Sequence, residues 1–221
     1  MSRTVKIVAI EPVTHDVDRY VMEKPKGYEF SPGQATEVAI NKPDWADEKR
    51  PFTFTSLPGW DRLEFTIKHY SDHDGVTNAL RSLQAGDELL IGEPWGTIEY
   101  KGPGTFIAGG AGVTPFIAIL RSLEAQGKIA GHRLIFANKT EADIIHRAEF
   151  DAMAGLETVY VLSNEEKDGF EHGHVDKDLL KRHIDDLSQQ IYLCGPRPMQ
   201  TAVKSDLNDL GADPDALVFE K

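Results

Sequence analysis

The chain has 221 residues, with 24 Lys and Arg against 36 Asp and Glu, a formal net charge of −12 at pH 7. That balance, with no local Lys/Arg cluster, lacks the basic footprint of a nucleic-acid binder or of a protein drawn to an anionic membrane. One cysteine, Cys194, leaves no partner for an intramolecular disulfide and too few thiolates for a cysteine-ligated structural zinc or iron–sulfur cluster. Residues 105–120 form the richest apolar stretch, but glycines, threonines and Pro115 interrupt it, short of the ~18 apolar residues needed to span a bilayer. The N-terminus has no signal-peptide pattern, so a soluble cytoplasmic protein is expected.

Residues 1–100 break into short runs, TVKIVAI, DRYVME, ATEVAI, FTFTS, LEFTIKHY and ELLIG, rich in β-branched and aromatic types and mostly alternating in character. Six such runs separated by Pro, Gly and charged turns predict a small antiparallel barrel. One helix is expected over 75–83, where Val76, Leu80 and Leu83 recur at helical spacing. From residue 101 the rhythm changes. Strands are expected at 105–108, 133–137, 158–162, 191–193 and 217–219, with helices at 116–126 and near 143–153, 176–185 and 197–209. That alternation predicts an α/β domain with a parallel sheet covered by helices on both faces. The turn Lys101-Gly102-Pro103-Gly104 divides the chain into domains 1–101 and 102–221.

Two segments carry the chemistry. In TFIAGGAGVTPFIAIL a strand ends at Ala108, Gly109, Gly110 and Gly112 permit close backbone approaches, and Pro115 opens a helix. Free N–H groups at the positive end of a helix dipole suit a pyrophosphate, although the pattern also describes a tight turn with no ligand. It departs from G-x-G-x-x-G at Pro115, and the next strand ends in Asn138-Lys139 where an acidic residue would hold a ribose hydroxyl. In RPFTFTSLP, Arg50 and Phe52 share one face of an extended strand and Thr53 adds a hydroxyl, a set able to serve the phosphate and ring ends of one ligand. A half-buried strand with no ligand has the same composition.

RPFTFTS resembles the R-x-[YF]-[ST] flavin motif of the ferredoxin-NADP reductase superfamily, GGAGVTP its nicotinamide-pyrophosphate loop, and YLCGPRPM its C-G-P-x-x-M signature. Supporting matches are Phe30-Ser31-Pro32-Gly33-Gln34 to the F-x-P-G-Q turn, Gly75-Val76-Thr77 to the G-x-[ST] phosphate turn, and Gly86-Asp87 through Pro94-Trp95-Gly96 to the approach to the domain boundary. The matches follow the family's order over nearly the whole chain. The resemblance implies an FAD-binding barrel followed by an NAD(P)-binding domain, and a flavoprotein oxidoreductase. By carry-over Arg50 binds the FAD pyrophosphate, Phe52 stacks on the flavin, and Thr53 bonds near its N5. Gly75, Val76 and Thr77 offer donors to the FAD phosphates, and Lys68 and His69 line the same cofactor. Gly110, Gly112, Val113 and Thr114 hold the NAD(P)H pyrophosphate, while Cys194, Gly195 and Pro196 flank the nicotinamide. Thr53 and Cys194 are the residues expected to tune and position the hydride transfer, which needs no obligatory acid or base. Phe219 either covers the flavin, as a C-terminal aromatic does in several relatives, or packs inward from the last strand.

Where NADP-preferring relatives carry Ser-Arg after the third parallel strand, this chain has Ser163-Asn164-Glu165-Glu166. Two carboxylates there repel a 2′-phosphate, which favours NADH, although Lys139, Arg147 and Lys167 are cations within possible reach. His172-Gly173-His174 reads as a solvated loop and no metal is expected. The acceptor is open: a ferredoxin- or flavodoxin-type protein, another redox protein or a small molecule, with acidic partners disfavoured by the −12 charge. The alternative is a flavin-binding electron-transfer subunit active only inside a complex. A scaffold that kept the fold without the ligands is the third reading.

Overall fold

A computed structural model describes residues 2–71, 74–96, 98–213 and 216–219, with Phe219 described by its backbone only. The first half forms β1 (Arg3–Thr14), β2 (Val17–Glu23), β3 (Ala35–Ile40), β4 (Arg50–Thr53), β5 (Arg62–Lys68), the short helix α1 (Val76–Leu80) and β6 (Glu88–Ile91). The strands run in the order β4-β3-β6-β1-β2-β5, each pair antiparallel. Just past β4, Phe54 bridges to Phe65 of β5, and Thr55 N–H donates to the Glu64 carbonyl at 2.9 Å. Those two contacts join the sheet's ends and close it into a barrel, which leaves few unpaired edge groups. Tyr20, Phe54 and Phe65 fill the interior, Phe30 stacks on Phe54 with centroids 4.3 Å apart, and α1 packs in through Val76 and Leu80. The expected fourth run, FTFTS, is strand only as far as Thr53, because Phe54 turns in to make the closure.

The second half contains β7 (Gly104–Gly109), α2 (Thr114–Ala125), β8 (His132–Asn138), α3 (Arg147–Ala152), β9 (Leu156–Leu162), β10 (Glu171–His172), α4 (Lys177–His183), β11 (Gln190–Cys194), α5 (Arg197–Leu210) and β12 (Leu217–Phe219). All pair in parallel, in the order β10-β9-β8-β7-β11-β12. Two apolar layers cover the sheet: Phe106, Phe116, Leu120 and Phe136 on one face, Ile107, Ile135, Val161 and Val203 on the other. Helix α3 is shorter than the expected 143–153. A 3₁₀ turn at Glu141–Asp143, held by a Thr140/Asp143 capping box, comes first, and His146 takes a left-handed backbone (φ 54°) before the helix starts. Among the described residues, no helix is long and apolar enough to cross a membrane.

Strand β5 explains how the halves are joined. Its sequence RLEFTIK alternates apolar and polar, yet Leu63, Glu64, Phe65, Thr66 and Ile67 are all buried. Leu63, Phe65 and Ile67 point into the barrel, while Glu64 and Thr66 on the other face lie beneath the second half. Arg121 of α2 reaches across, donating to Glu64 Oε1 and to the Thr55 carbonyl, both at 2.6 Å, and its Nε and Nη2 hold Glu149 of α3 at 2.5 and 2.8 Å.

Candidate functional site

Order reversal between β7 and β11 opens a crevice at the carboxyl ends of the parallel strands, the usual ligand position of such sheets. A cavity of about 610 Å³ lies there, and the barrel supplies its opposite wall. On the barrel side stand Phe52 and Thr53 from β4, Thr66, Ile67 and Lys68 from β5, and Thr77 from α1. On the sheet side stand the Gly109–Gly112 turn with Thr114 and Pro115, then Asn138, Lys139 and Asp143, and then Cys194, Gly195 and Pro196 after β11.

The glycine turn has two jobs, divided between its members. A Cβ on Gly112 would sit 2.5 Å from the Cys194 carbonyl oxygen, and one on Gly109 would sit 2.4 Å from Met199 Sδ. Those glycines let the turn close against the loop after β11, which brings the two distant motifs to one spot. Gly110 differs: its φ is +51°, and a Cβ there would meet nothing within 4 Å, so it is required for the turn's conformation and leaves a bare backbone at the cavity. Val113 is buried in the core, and Thr114 Oγ1 donates to the Ala111 carbonyl at 3.0 Å, tightening the turn.

Several residues singled out in the sequence stand apart from the cavity. Arg50 is exposed on β4, donates to the Lys49 carbonyl at 2.7 Å, and lies 3.6 Å from Glu48. His69 is buried as a strut: one ring nitrogen bonds the Thr77 carbonyl at 2.7 Å, the other Asp18 at 2.9 Å, tying β5 to β2 and α1. Val76 is buried in the barrel core through its side chain, because helical spacing turns it inward with Leu80. Phe52 both lines the cavity and leans on the barrel core, its ring 6.3 Å from that of Phe65. Lys68 is paired with Asp16 at 2.8 Å. Phe219 closes β12 opposite Leu193, and its side chain is outside the described residues.

Sequence reasoning overlooked the residues that tie the two walls together. His146 bonds Thr66 Oγ1 at 3.2 Å through one nitrogen and lies 3.4 Å from Glu149 through the other, and burial pushes its pKa down. Burial alone would lower the Arg121 pKa, but Glu149 and Glu64 outweigh it and the net shift is upward, so the guanidinium stays charged. Asp143, which lines the cavity, lies 3.7 Å from His15 of the β1–β2 turn. The available signal was weak: Arg121 falls one helical turn from Ile117 on a strongly apolar helix, where a charge needs buried partners to be tolerated.

The arrangement is that of a two-domain dinucleotide and flavin oxidoreductase. The profile of the oxidoreductase FAD-binding domain matches residues 4–100, and that of the oxidoreductase NAD-binding domain matches residues 106–205. The chain belongs to the ferredoxin-NADP reductase-like family, in which these two domains are joined. Over 98% of its length it is 29% identical to the reductase component of propane 2-monooxygenase from Rhodococcus jostii, of which it spans 62%. It is 30% identical over 95% of its length to NADH–cytochrome b5 reductase 1 of Arabidopsis thaliana, spanning 80% of that protein. The fold matches the FAD/NAD-binding domain of a Vibrio cholerae nitric oxide dioxygenase with a TM-score of 0.89 at 21% identity, covering 99% of this chain and 97% of the other.

Proposed function

We propose that the protein is an NADH-dependent, FAD-containing reductase that passes electrons to a separate redox protein such as an oxygenase component, with its FAD-binding domain ending at residue 101. The observation that carries this reading is the shared cavity, where Phe52 and Thr53 face the Gly110 turn and Cys194. FAD accepts a hydride from a nicotinamide and releases the electrons to an acceptor, and the chain's task is to align and shield the two.

The residues fit that task. Phe52 offers a flat apolar face held in place by the barrel core, and Thr53 a hydroxyl beside it. Lys68, steadied by Asp16, supplies a cation on the same wall, and Thr77 with the start of α1 supplies donors for phosphate. Arg50 reaches the FAD pyrophosphate by exchanging its present partners, Glu48 and the Lys49 carbonyl, for the phosphate oxygens. Bare backbone at Gly110, at the head of α2, receives the nicotinamide dinucleotide's pyrophosphate. Buried Cys194 and the Gly195-Pro196 turn set the depth to which its nicotinamide enters.

Preference for NADH rests on the loop after β9. Glu165 accepts from the Glu141 N–H at 2.8 Å, and Glu141 in turn holds both Lys167 and Arg147, which keeps its pKa low. Glu141 thus occupies Lys167 and Arg147, two of the three cations near a 2′-phosphate, and leaves Lys139 on the cavity wall. The test is an anaerobic absorbance titration of FAD-loaded protein with NADH and NADPH in parallel. Bleaching of the oxidised-flavin band at far lower NADH than NADPH is expected. Bound flavin that neither coenzyme reduces would overturn the reductase reading in favour of a subunit active only inside a complex.

A further inference from the structure

Asn138 is the last residue of β8 and part of the cavity wall. It is 8% exposed, and both its amide atoms, Oδ1 and Nδ2, are buried without a hydrogen-bond partner. A buried carboxamide with neither end satisfied is costly, and an apolar side chain of the same size would remove the cost. Nothing else in the local packing requires an amide: the neighbouring Ile135 and Phe136 satisfy the two apolar layers, and the Asn138 backbone carbonyl is already used by Ser163 N–H at 3.0 Å.

Position supplies the second argument. Ala137 pairs with Gly109, so Asn138 stands one residue beyond the β7–β8 ladder, beside the turn that carries Gly110. In dinucleotide-binding sheets the end of the second strand is where an acidic residue grips a ribose hydroxyl. Here the second parallel strand ends in a neutral amide, whose soft χ2 torsion lets it turn toward a molecule in the cavity.

We propose that Asn138 is a binding residue for the nicotinamide dinucleotide, its carboxamide both donating to and accepting from a ribose hydroxyl. The choice of partner follows from the two orphaned atoms. A phosphate only accepts and would leave Oδ1 unsatisfied, whereas a hydroxyl offers a donor and an acceptor. The nicotinamide carboxamide offers the same pair. The inference rests on the cavity being a nicotinamide dinucleotide site.

The experiment uses FAD-loaded wild type and Asn138→Leu, with melting temperatures measured alone, with NAD⁺, and with ADP-ribose, which keeps both riboses and lacks the nicotinamide. Asn138→Leu without ligand is expected to melt roughly 2–4 °C above wild type. Its affinity for both ligands should fall about tenfold, with KM for NADH raised and kcat nearly unchanged. Asn138→Ala supplies the same affinity comparison if the leucine variant does not fold. Loss confined to NAD⁺ would move the contact from ribose to the carboxamide and overturn the ribose assignment. Wild-type affinity for both ligands, or loss of FAD instead, would overturn the proposal altogether. Absence of any NAD⁺ effect on wild type would indict the dinucleotide reading itself.

Discussion

Arg121 shows how much of this architecture hangs on single side chains. Its guanidinium is 7% exposed and bonded to both domains, to Glu64 and Thr55 on one side and Glu149 on the other. Removing one member of a buried ion pair leaves the other charge without compensation, at about 3–5 kcal/mol. Arg121→Met is therefore expected to lower the melting temperature by on the order of 10 °C, measured by circular dichroism. Adding Glu64→Gln and Glu149→Gln should restore part of it, since no stranded carboxylate then remains. Melting as high as wild type in the single variant would show that the network contributes nothing to stability. The glycine turn gives a second residue-scale contrast. Gly112→Ala forces a Cβ to within 2.5 Å of the Cys194 carbonyl, a backbone atom that cannot give way, whereas Gly110→Ala meets open space and pays only for its positive φ. The first should cost about 3 kcal/mol or more and the second roughly 1, read from denaturant midpoints. Equal effects would contradict the division of labour within the turn.

At the scale of elements, the segment from β8 to α3 couples the site to pH. Burial lowers the His146 pKa, so the unfolded chain binds a proton that the folded chain resists. Stability is then complete above the ordinary histidine pKa of about 6.5 and is lost as pH falls through the lowered folded value. Glu149 adds to this in stronger acid. Burial would raise its pKa, but the Arg121 hydrogen bond brings it below the ordinary carboxylate value, so its contribution disappears as pH falls through that lowered value. Charges facing the imidazole are Glu149, Arg121, Glu64 and Arg19, from four different elements. His146→Asn keeps a residue that tolerates the left-handed backbone but does not titrate. Between about pH 7 and 5.5 its melting temperature should fall less steeply than that of wild type, with the two slopes converging in stronger acid. Parallel slopes throughout would remove His146 from the account. The same elements mark what was legible in the sequence. Strand runs, the change of rhythm near residue 101 and the helix α2 follow from periodicity, which each segment carries within itself. LEFTIKHY also shows its alternation, but nothing in that run says that its polar face is covered, because Arg121 and His146 lie more than fifty residues downstream. The burial of His69 was hidden from the sequence for the same reason. A histidine beside a lysine on one strand looks like a ligand-lining pair, and only the packing of β2 and α1 shows that it is a strut.

For the whole molecule, the question is what the field around a net charge of −12 selects as an electron acceptor. Long-range attraction raises encounter rates with a cation and lowers them with an anion, and salt screens both effects over a Debye length near 10 Å. The cavity wall, however, presents Lys68 and Lys139, so the local field at the site is opposed to the global one. Of these, Lys68 is neutralised at close range by Asp16, and Asp143 stands on the sheet wall with Lys139. The rim is thus close to balanced, and the global acidity should decide encounter. Reduced protein is expected to react with ferricyanide faster as salt rises from about 20 to about 200 mM, and with hexaammineruthenium(III) more slowly, by stopped-flow absorbance. Ferricyanide rates that fall with salt would instead mean that Lys139 and its neighbours dominate at the point of transfer, and would direct the search toward an acidic partner. The expected result directs it toward a redox protein with a basic docking face, because complementary charge speeds encounter and suppresses wrong partners without adding much affinity.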